Sequence, residues 1–179
     1  FPVARDLMAA LGIPSIELTG FEADDIVGTV SRKAEENGYH TTIITGDLDA
    51  LQLVDLCVSV MTPKVGVTDV AVYGVAEVME RYGFGPALVP DYKAIVGDKS
   101  DNIPGVPGIG DKGASELIKR FGTVEQMLEN IEQVEPKYRN KIEPNKEQLI
   151  KSKWLATIDC EAPIEFDFKP FVLSDEQME

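Results

Sequence analysis

The chain has 179 residues, which is enough for one domain with a sizeable core and a small appendage. Its composition, 44% apolar and 27% charged, is that of a globular protein, and it contains no apolar run of the roughly 18 residues needed to cross a bilayer. The net charge of −14 argues against a conventional nucleic-acid-binding protein, because phosphate contacts need Lys and Arg, unless the acidic residues gather at one site and are neutralised by cations.

The first part of the chain alternates between helical and extended patterns. Apolar spacing predicts a first helix that ends at Gly12, a short strand at residues 15–18 and a second helix from about Gly20 to Asn37. The β-branched run HTTIIT, residues 40–45, predicts a strand that is buried on both faces. Because a helical pattern is already under way at the first residues, we expect the chain to be a piece of a longer protein.

The same alternation continues to about residue 97. The patterns predict a short helix at 50–54, a strand at 57–61, a hairpin or edge strand at 69–73, and helices within 74–83 and 86–97. Alternating strands and helices indicate an α/β fold with a mostly parallel sheet and helices on its faces.

Beyond residue 97 the character changes to helices separated by Gly/Pro loops. Helical patterns occupy residues 114–122, 123–131 and 145–159, which indicates a small helical subdomain. We therefore predict an α/β core over 1–96, a helical subdomain over 97–160 and a linker segment over 161–179.

Three acidic groups stand out from the general background. They are Glu22, Asp24 and Asp25 in FEADD, Asp47 and Asp49 in GDLD, and Asp98 and Asp101 in GDKSD. Each group has an ordinary structural explanation, because acids are favoured in the first turn of a helix and because Asp is common in turns. GDLD, however, directly follows a predicted strand, and this is where sites form in open α/β sheets.

The three groups together favour a metal site. Two carboxylates about 5 Å apart repel by roughly 3 kcal/mol at an effective dielectric near 20, so a fold that gathers several of them needs cations to offset the repulsion. Oxygen-only ligand sets suit Mg²⁺ or Mn²⁺, and a pair of such ions is the usual apparatus for hydrolysis of a phosphodiester. We therefore interpret these acids as metal ligands rather than proton shuttles.

A glycine-rich turn follows the third acidic group. PGIG, residues 107–110, precedes a predicted helix whose first N–H groups are free, and such a turn lets a phosphate approach the backbone closely. Lys112 adds a positive charge beside it, whereas the ordinary explanation is a loop between helices. The residues assigned to DNA binding are Gly105, Gly108, Ile109, Gly110, Lys112 and Gly113.

FEADD, TGDLDALQLV, VGDKSDNIPGVPGIGDKGA and KWLATID, in this order, resemble the 5′–3′ exonuclease (flap endonuclease-like) domain of bacterial DNA polymerase I. The resemblance covers nearly the whole chain. It implies a PIN-like fold, two divalent ions held by the seven acids above, and a helix–hairpin–helix-type DNA-binding element at PGIGDKGA with K⁺ as a further cofactor. It also implies that the first three acids and the other four favour different metals.

The resemblance further implies the biological setting. The expected substrates are duplex DNA with a 5′ flap or nick and RNA primer–DNA hybrids, removed in replication and repair. The expected partners are the polymerase domains of the parent chain, and we expect a cytoplasmic, nucleoid-associated monomer that does not contact a membrane.

The chain also departs from the family pattern. An earlier strand with another ligand aspartate, a second aspartate in a basic segment and a helical arch are absent before Phe1. Phe21 replaces a usual Tyr, Leu48 a commonly basic residue and Gly113 a usual Thr. We therefore expect this chain by itself to be a poor or inactive nuclease.

Two alternatives stay open. The first is a non-catalytic DNA-binding module in which the acids serve only structure. The second is a PIN-like ribonuclease, which the GDKSDNIPGVPGIG element disfavours. Metal titration separates the first from a nuclease, and a preference for flapped DNA over single-stranded RNA decides the second.

Overall fold

The structure, a computed structural model, describes residues 2–65 and 69–168. Its helices are α1 Pro2–Ala10, α2 Ala23–Glu36, α3 Val75–Tyr82, α4 Val89–Val96, α5 Asp111–Phe121, α6 Val124–Glu129, α7 Pro136–Ile142 and α8 Lys146–Ala156. Its strands are β1 Thr41–Ile44, β2 Val58–Val65, β3 Asp69–Tyr73, β4 Gly97–Asp98 and β5 Ile103–Pro104. Within these ranges no helix is both long and apolar enough to cross a membrane.

The main sheet is mixed and has the order β1-β2-β3. β1 runs parallel to β2, with Ile43 opposite Val60, and β3 returns antiparallel beside β2. This arrangement confirms the predicted hairpin at 69–73 and places the carboxyl end of β1 next to the loop that carries GDLD. Val60 of β2 is fully buried and belongs to the same hydrophobic core as the fully buried Leu51 and Ile95.

Two strand predictions in the N-terminal part are wrong. Residues 15–18 form no strand, because no described strand lies beside them to complete a hydrogen-bonded ladder. β1 is not buried on both faces, since Ile43 is 6% exposed whereas Ile44 is 75% exposed. Successive strand side chains point to opposite faces, and the described part of the chain covers only the face that carries Ile43.

α2 begins at Ala23, three residues later than predicted, with Glu22 as its N-cap, and its end at Asn37 is confirmed. Gly28 lies in the middle of this helix, and a Cβ there would fall 2.9 Å from the Cys160 sulfur. The glycine therefore lets the segment that follows α8 lie directly against α2.

The C-terminal half contains the predicted helices and one that the sequence patterns missed. α7 has only Tyr138 and Ile142 as apolar residues in seven positions, so it carries little helical periodicity. The helix-favouring signal that was available is Pro136 at its first position.

The described part of the predicted linker, residues 161–168, lies against α2. Ala162 and Ile164 are 3% and 6% exposed, and the Ala162 N–H donates to the Thr29 hydroxyl at 3.0 Å. Residues 169–179 lie outside the described residues, and the division at 96 and 160 stays a prediction.

Candidate functional site

The predicted acids surround one open cavity of about 1110 Å³. Its wall is formed by the N-terminus of α2, the loop after β1, the β4–β5 turn and the segment after α8. Six of the seven predicted acids line it, namely Glu22, Asp24, Asp25, Asp47, Asp49 and Asp101. The seventh, Asp98, is not part of this wall but lies beside two residues of it.

Asp49, Asp98 and Asp101 form a close cluster, here called the acid trio. Each offers a carboxylate oxygen, and the three oxygens lie within 4.8 Å of one another. Asp49 belongs to the 3-10 helix Leu48–Leu53, whereas Asp98 ends β4 and Asp101 lies in the turn between β4 and β5. Two stretches about fifty residues apart in the sequence thus supply one oxygen-only donor set, which is the chemistry that hard divalent ions prefer.

Lys93 enters the acid trio from the last turn of α4. Its ammonium forms an ion pair with Asp49 and another with Asp98 at 2.7 Å, and only 14% of its side chain is exposed. Hydrogen bonds from Lys93 and Ser100 hold the pKa of Asp98 well below its ordinary range, so Asp98 stays ionised at neutral pH.

Sequence reasoning missed Lys93, which no prediction included. The available signal was its position five residues before Asp98, near the end of a predicted helix that leads directly into GDKSD. A buried lysine is rarely found without a carboxylate partner, so a lysine on an apolar helix beside an acidic motif indicates an ion pair.

Asp24 is partly buried among the other acids of the cavity. Burial raises its pKa, and the negative charges of Asp47, Glu22 and other cavity acids raise it further. A carboxyl group in this environment takes up protons more readily than an ordinary aspartate. It is equally a place where a cation would be attracted.

Asp25 has a structural task in addition to its place in the cavity wall. One of its oxygens accepts the Glu22 N–H at 3.0 Å, and the other accepts the Asp159 N–H at 2.9 Å. The capping explanation for FEADD therefore describes Asp25, whereas Asp24 makes no such bond to backbone within the described residues.

Asp47 also closes a local turn. Its carboxylate accepts the Asp49 N–H at 2.9 Å, and its own N–H donates to the Thr45 hydroxyl at 3.0 Å. This is the turn geometry expected for Asp-x-Asp after a strand. The turn orients the Asp47 side chain on the rim, where it remains exposed to the cavity.

The KWLATID segment completes the cavity wall. Gln52 donates to the Ala156 carbonyl at 3.0 Å and accepts the Ile158 N–H at 3.0 Å, so the segment is tied to the 3-10 helix that carries Asp49. Trp154, 73% exposed, lies on the rim of the cavity. The last motif of the sequence pattern therefore belongs to the same site as the first three.

The six residues assigned to DNA binding fall into two sets. Gly108, Gly110 and Lys112 are exposed at the turn, whereas Ile109 and Gly113 are buried and Gly105 is half-buried. A Cβ on Gly105 would lie 2.2 Å from the Val96 carbonyl oxygen. The structure thus gives Gly105 a packing role between the backbones of β4 and β5.

A lysine from α7, Lys141, contacts the exposed part of the turn. Gly108 has a φ of 78°, and its carbonyl accepts the Lys141 ammonium at 2.7 Å. Gly110 is the N-cap of α5 and provides no side chain to its first N–H groups. Backbone donors and two lysines therefore meet at one surface, which suits an anion.

Two family models together match the whole chain. A model described as the 5′–3′ exonuclease N-terminal resolvase-like domain matches residues 1–83, and one described as the 5′–3′ exonuclease C-terminal SAM fold matches residues 84–179.

Curated relatives include DNA polymerase I of Bacillus caldotenax, 42% identical over 180 residues, and that of Bacillus subtilis (strain 168), 44% identical over 165 residues. These alignments cover 100% and 92% of this chain, but only 20% and 19% of the relatives. The chain thus spans about a fifth of the length of these polymerases.

Solved structures with the same fold include a zinc-bound 5′-exonuclease of bacteriophage T5, with a TM-score of 0.73 and 26% identity over 82% of this chain and 53% of that one. A T5 flap endonuclease in a pseudo-enzyme-product complex with DNA and metal ions has a TM-score of 0.75 and 26% identity, covering 88% of this chain and 56% of that one. The catalytic core of Rad2 in complex with DNA, at 17% identity and a TM-score of 0.63 over 97% of this chain and 58% of that one, shares the fold alone.

Proposed function

Because the chain belongs to the 5′–3′ exonuclease family, we propose that it is the nuclease part of a bacterial DNA polymerase I and hydrolyses phosphodiesters at 5′ flaps and nicks. RNA primers paired with DNA are proposed as further substrates, since they too present a phosphodiester linkage at a 5′ end. The proposal also makes the polymerase domains of the parent chain its partners. A cytoplasmic, nucleoid-associated monomer fits this role.

One observation carries the proposal: three acidic stretches from distant parts of the sequence meet around a single cavity. At about 5 Å, each pair of carboxylates costs roughly 3 kcal/mol at an effective dielectric near 20. A fold that depended on these acids only for structure would not place so many of them together. Their convergence supports a role in binding cations.

The donor set fits divalent ions. The acid trio supplies three carboxylate oxygens within 4.8 Å, and we assign Asp24, Asp47 and Glu22 to a second group of ligands across the same cavity. Mg²⁺ and Mn²⁺ match this oxygen-only chemistry. Ions held there would lower the pKa of a bound water and stabilise the leaving oxygen of the phosphodiester.

The chain's own residues prepare the site for this chemistry. Lys93 keeps Asp49 and Asp98 together by pairing with both carboxylates, with 14% of its side chain exposed. Asp25 fixes the start of α2 against the segment after α8. These contacts hold the ligand carboxylates in place before any substrate binds.

The turn at residues 107–110 would hold the DNA backbone away from the reacting bond. Its N–H groups and Lys112 contact phosphate without reading base sequence. K⁺ at this turn remains part of the proposal, and it would need to share the Gly108 carbonyl with the Lys141 ammonium.

Mn²⁺ uptake by the full chain tests the proposal directly, because we expect slow cleavage from this chain by itself. Isothermal titration calorimetry should show Mn²⁺ binding that the double variant Asp49→Asn with Asp98→Asn loses. Asp6→Asn on α1, an exposed aspartate outside the cavity, is the matched control and should bind normally. Equal Mn²⁺ binding by all three proteins would refute the assignment.

A non-catalytic DNA-binding module is the second candidate, and the backbone bonds of Asp25 and Asp47 favour it. This module would bind flapped duplex equally well with and without Mn²⁺. A ribonuclease would instead prefer single-stranded RNA over the flapped duplex. A nuclease of the proposed kind should release the 5′ flap only when Mn²⁺ or Mg²⁺ is present.

A further inference from the structure

Large apolar side chains are exposed on a helix that borders the acidic cavity. They belong to α8, where Ile150 and Leu155 are about half exposed and Trp154 is 73% exposed. Residues four positions apart are neighbours on a helix surface, so Ile150 and Trp154 share one face. Trp154 and Leu155 also line the cavity. Exposed apolar side chains grouped at the rim of a candidate site indicate a surface that contacts a ligand.

The ring of Trp154 has no packing role in the part of the chain that the structure describes. Tryptophan is highly buried on average. Over residues 2–65 and 69–168, however, none of the contacts between two aromatic rings or between a cation and a ring involves Trp154. Its backbone carbonyl accepts the Thr157 N–H at 3.3 Å, which ends the helix without using the side chain. The indole ring therefore stays accessible to a ligand in the cavity.

Hydrogen bonds fix the exposed face of α8 relative to the acid trio. On the buried side of the helix, the Ser152 hydroxyl donates to the Pro104 carbonyl of β5 at 2.6 Å. At the end of the helix, Gln52 donates to the Ala156 carbonyl at 3.0 Å, and Gln52 belongs to the 3-10 helix that carries Asp49. Because β5 and this 3-10 helix also position the acid trio, the indole is held at a defined place on the same cavity.

The charge of the cavity wall decides which part of a nucleic acid this face can contact. Most of the charged residues that line the cavity are acidic, and Arg32 is the only basic one among the described lining residues. The Arg32 guanidinium is itself 3.4 Å from a carboxylate oxygen of Glu161. The wall therefore repels backbone phosphates wherever no metal ion lies between them. The bases of a nucleic acid carry no net charge and are not repelled.

The flat surface of an indole matches the face of a nucleobase. Stacking of bases on aromatic side chains is a common way to bind single strands, and the stacking itself needs no charged group. Inside a duplex the faces of each base are covered by its neighbours, so a base must be unpaired to stack on a side chain. An exposed indole on an acidic wall thus favours an unpaired base as its ligand.

We propose that Trp154 stacks on an unpaired base of the DNA strand whose backbone lies at the acids of the cavity. This inference rests on the proposed function and adds a contact that neither the acidic residues nor the glycine-rich turn provides. The stacked base would position the strand relative to the acids, while Trp154 takes no part in the hydrolysis. The contact would be independent of base identity, because every base has a face that can stack.

The test uses the full chain and a fluorescein-labelled duplex with a 5′ flap, and follows binding by anisotropy in Ca²⁺ buffer. Trp154→Leu keeps an apolar side chain but removes the ring, so it should weaken binding roughly tenfold, which is within the range for one stacked base. The slope of log affinity against log salt should not change, because stacking releases no counterions. Trp154→Phe retains a ring and should recover most of the affinity.

Substrates that lack a single base locate the contact. Each member of a series carries one abasic nucleotide, at successive positions of the flap strand on both sides of the junction. At one position the missing base should weaken binding by the wild type roughly tenfold and should have no effect on binding by Trp154→Leu, because both changes remove the same interaction. If Trp154→Leu binds as tightly as the wild type, or weakens every member of the series by one common factor, the proposal is overturned.

Ile150→Ala is the matched control, because Ile150 is an exposed apolar residue of the same helix that is not among the residues lining the cavity. It should keep the affinity of the wild type and its response to the abasic series. Equal weakening by Ile150→Ala and Trp154→Leu would mean that α8 presents a general apolar surface, of the kind that packs against another polypeptide. That result would also overturn the proposal.

Failure of this inference and failure of the proposed function give different results. If Trp154→Leu and the wild type respond alike to the abasic series and both take up Mn²⁺, the stacking contact is wrong and the nuclease proposal stands. If the wild type takes up no Mn²⁺, the nuclease proposal is wrong whatever the Trp154 variants show.

Discussion

Lys93 illustrates how one side chain can hold an acidic site together. Its ammonium contacts Asp49 and Asp98 with 14% of the side chain exposed, so it neutralises part of the acid trio from within. In the metal-free chain this lysine provides the positive charge that the carboxylates require. A metal ion at the same carboxylates would take over part of that task.

We predict that Lys93→Met destabilises the metal-free chain by about 3 kcal/mol, because it removes the cation that pairs with two largely buried carboxylates. Mn²⁺ should restore most of this loss, as measured by chemical unfolding with EDTA and with Mn²⁺. Lys153→Met is the matched control, since Lys153 joins Asp91 and Glu125 at 2.7 and 2.5 Å, away from the cavity. Rescue of both variants by Mn²⁺, or of neither, would contradict this account.

Asp24 should make stability depend on pH in the opposite direction from an ordinary ion-paired aspartate. Its pKa in the folded chain is raised above 3.8 by burial and by Asp47. The raised pKa adds to the free energy of unfolding when Asp24 is protonated. This contribution is fully present below pH 3.8 and is lost as the pH rises through the raised pKa. At pH 7 the ionised group therefore lowers stability.

Asp24→Asn should accordingly raise the melting temperature at pH 7 in EDTA and have no such effect near pH 3. The gain should stay within about 1 kcal/mol, because solvent screens a half-buried charge. Asp6→Asn should change nothing at either pH. A lower melting temperature for Asp24→Asn at pH 7 in EDTA would show that the acidic field is not unfavourable.

Among the secondary-structure elements, the β4–β5 pair determines the geometry of the third acidic group. Gly97 and Gly105 let the two backbones approach so closely that Asp98 and Asp101 face Asp49. In the sequence these glycines look identical to those of the neighbouring turn. Only the packing distinguishes a glycine that is needed for close approach from one that faces solvent.

Gly105→Ala should therefore destabilise the chain by about 2 kcal/mol or more, because its Cβ would lie 2.2 Å from the Val96 carbonyl oxygen and backbone must move. Gly110→Ala is the control, since a Cβ there meets nothing within 4 Å. Thermal unfolding compares the two, and equal stability would mean that the β4–β5 backbones separate easily.

The sequence predicts the elements better than their environment. The ends of α3 and α5 follow from the glycines after them, and Asp98 follows α4 as expected, whereas α2 begins three residues later than predicted and α7 was missed. The prediction that β1 is buried on both faces was wrong, because β-branched composition does not show which face of a strand is covered by neighbouring elements. Lys93 was missed because an ion pair between a helix and a distant loop depends on tertiary packing and leaves no local pattern.

At the scale of the whole molecule, charge is distributed unevenly. Acids gather at the cavity, whereas Lys112 and Lys141 lie at the turn at residues 107–110. The sequence motifs suggested that the acids converge, but they did not show that Lys141 of α7 contacts the turn, because that contact joins residues 33 positions apart. The net charge of −14 therefore describes neither surface.

We predict a shallow salt dependence of DNA binding, no steeper than that of about five phosphate contacts, because few cations line the proposed path. Fluorescence anisotropy with flapped duplex between 50 and 200 mM KCl measures it. A steeper slope would place additional lysines and arginines on the DNA, outside the turn.

Trp154 on the cavity rim gives this protein an intrinsic optical reporter. It is the only tryptophan in the chain, so light emitted on excitation near 295 nm comes from a single indole beside the acids. Its emission should respond when an ion or a strand enters the cavity, and a paramagnetic ion should quench it more strongly than a diamagnetic one. Occupancy of the site can thus be followed in unlabelled protein on the stopped-flow timescale.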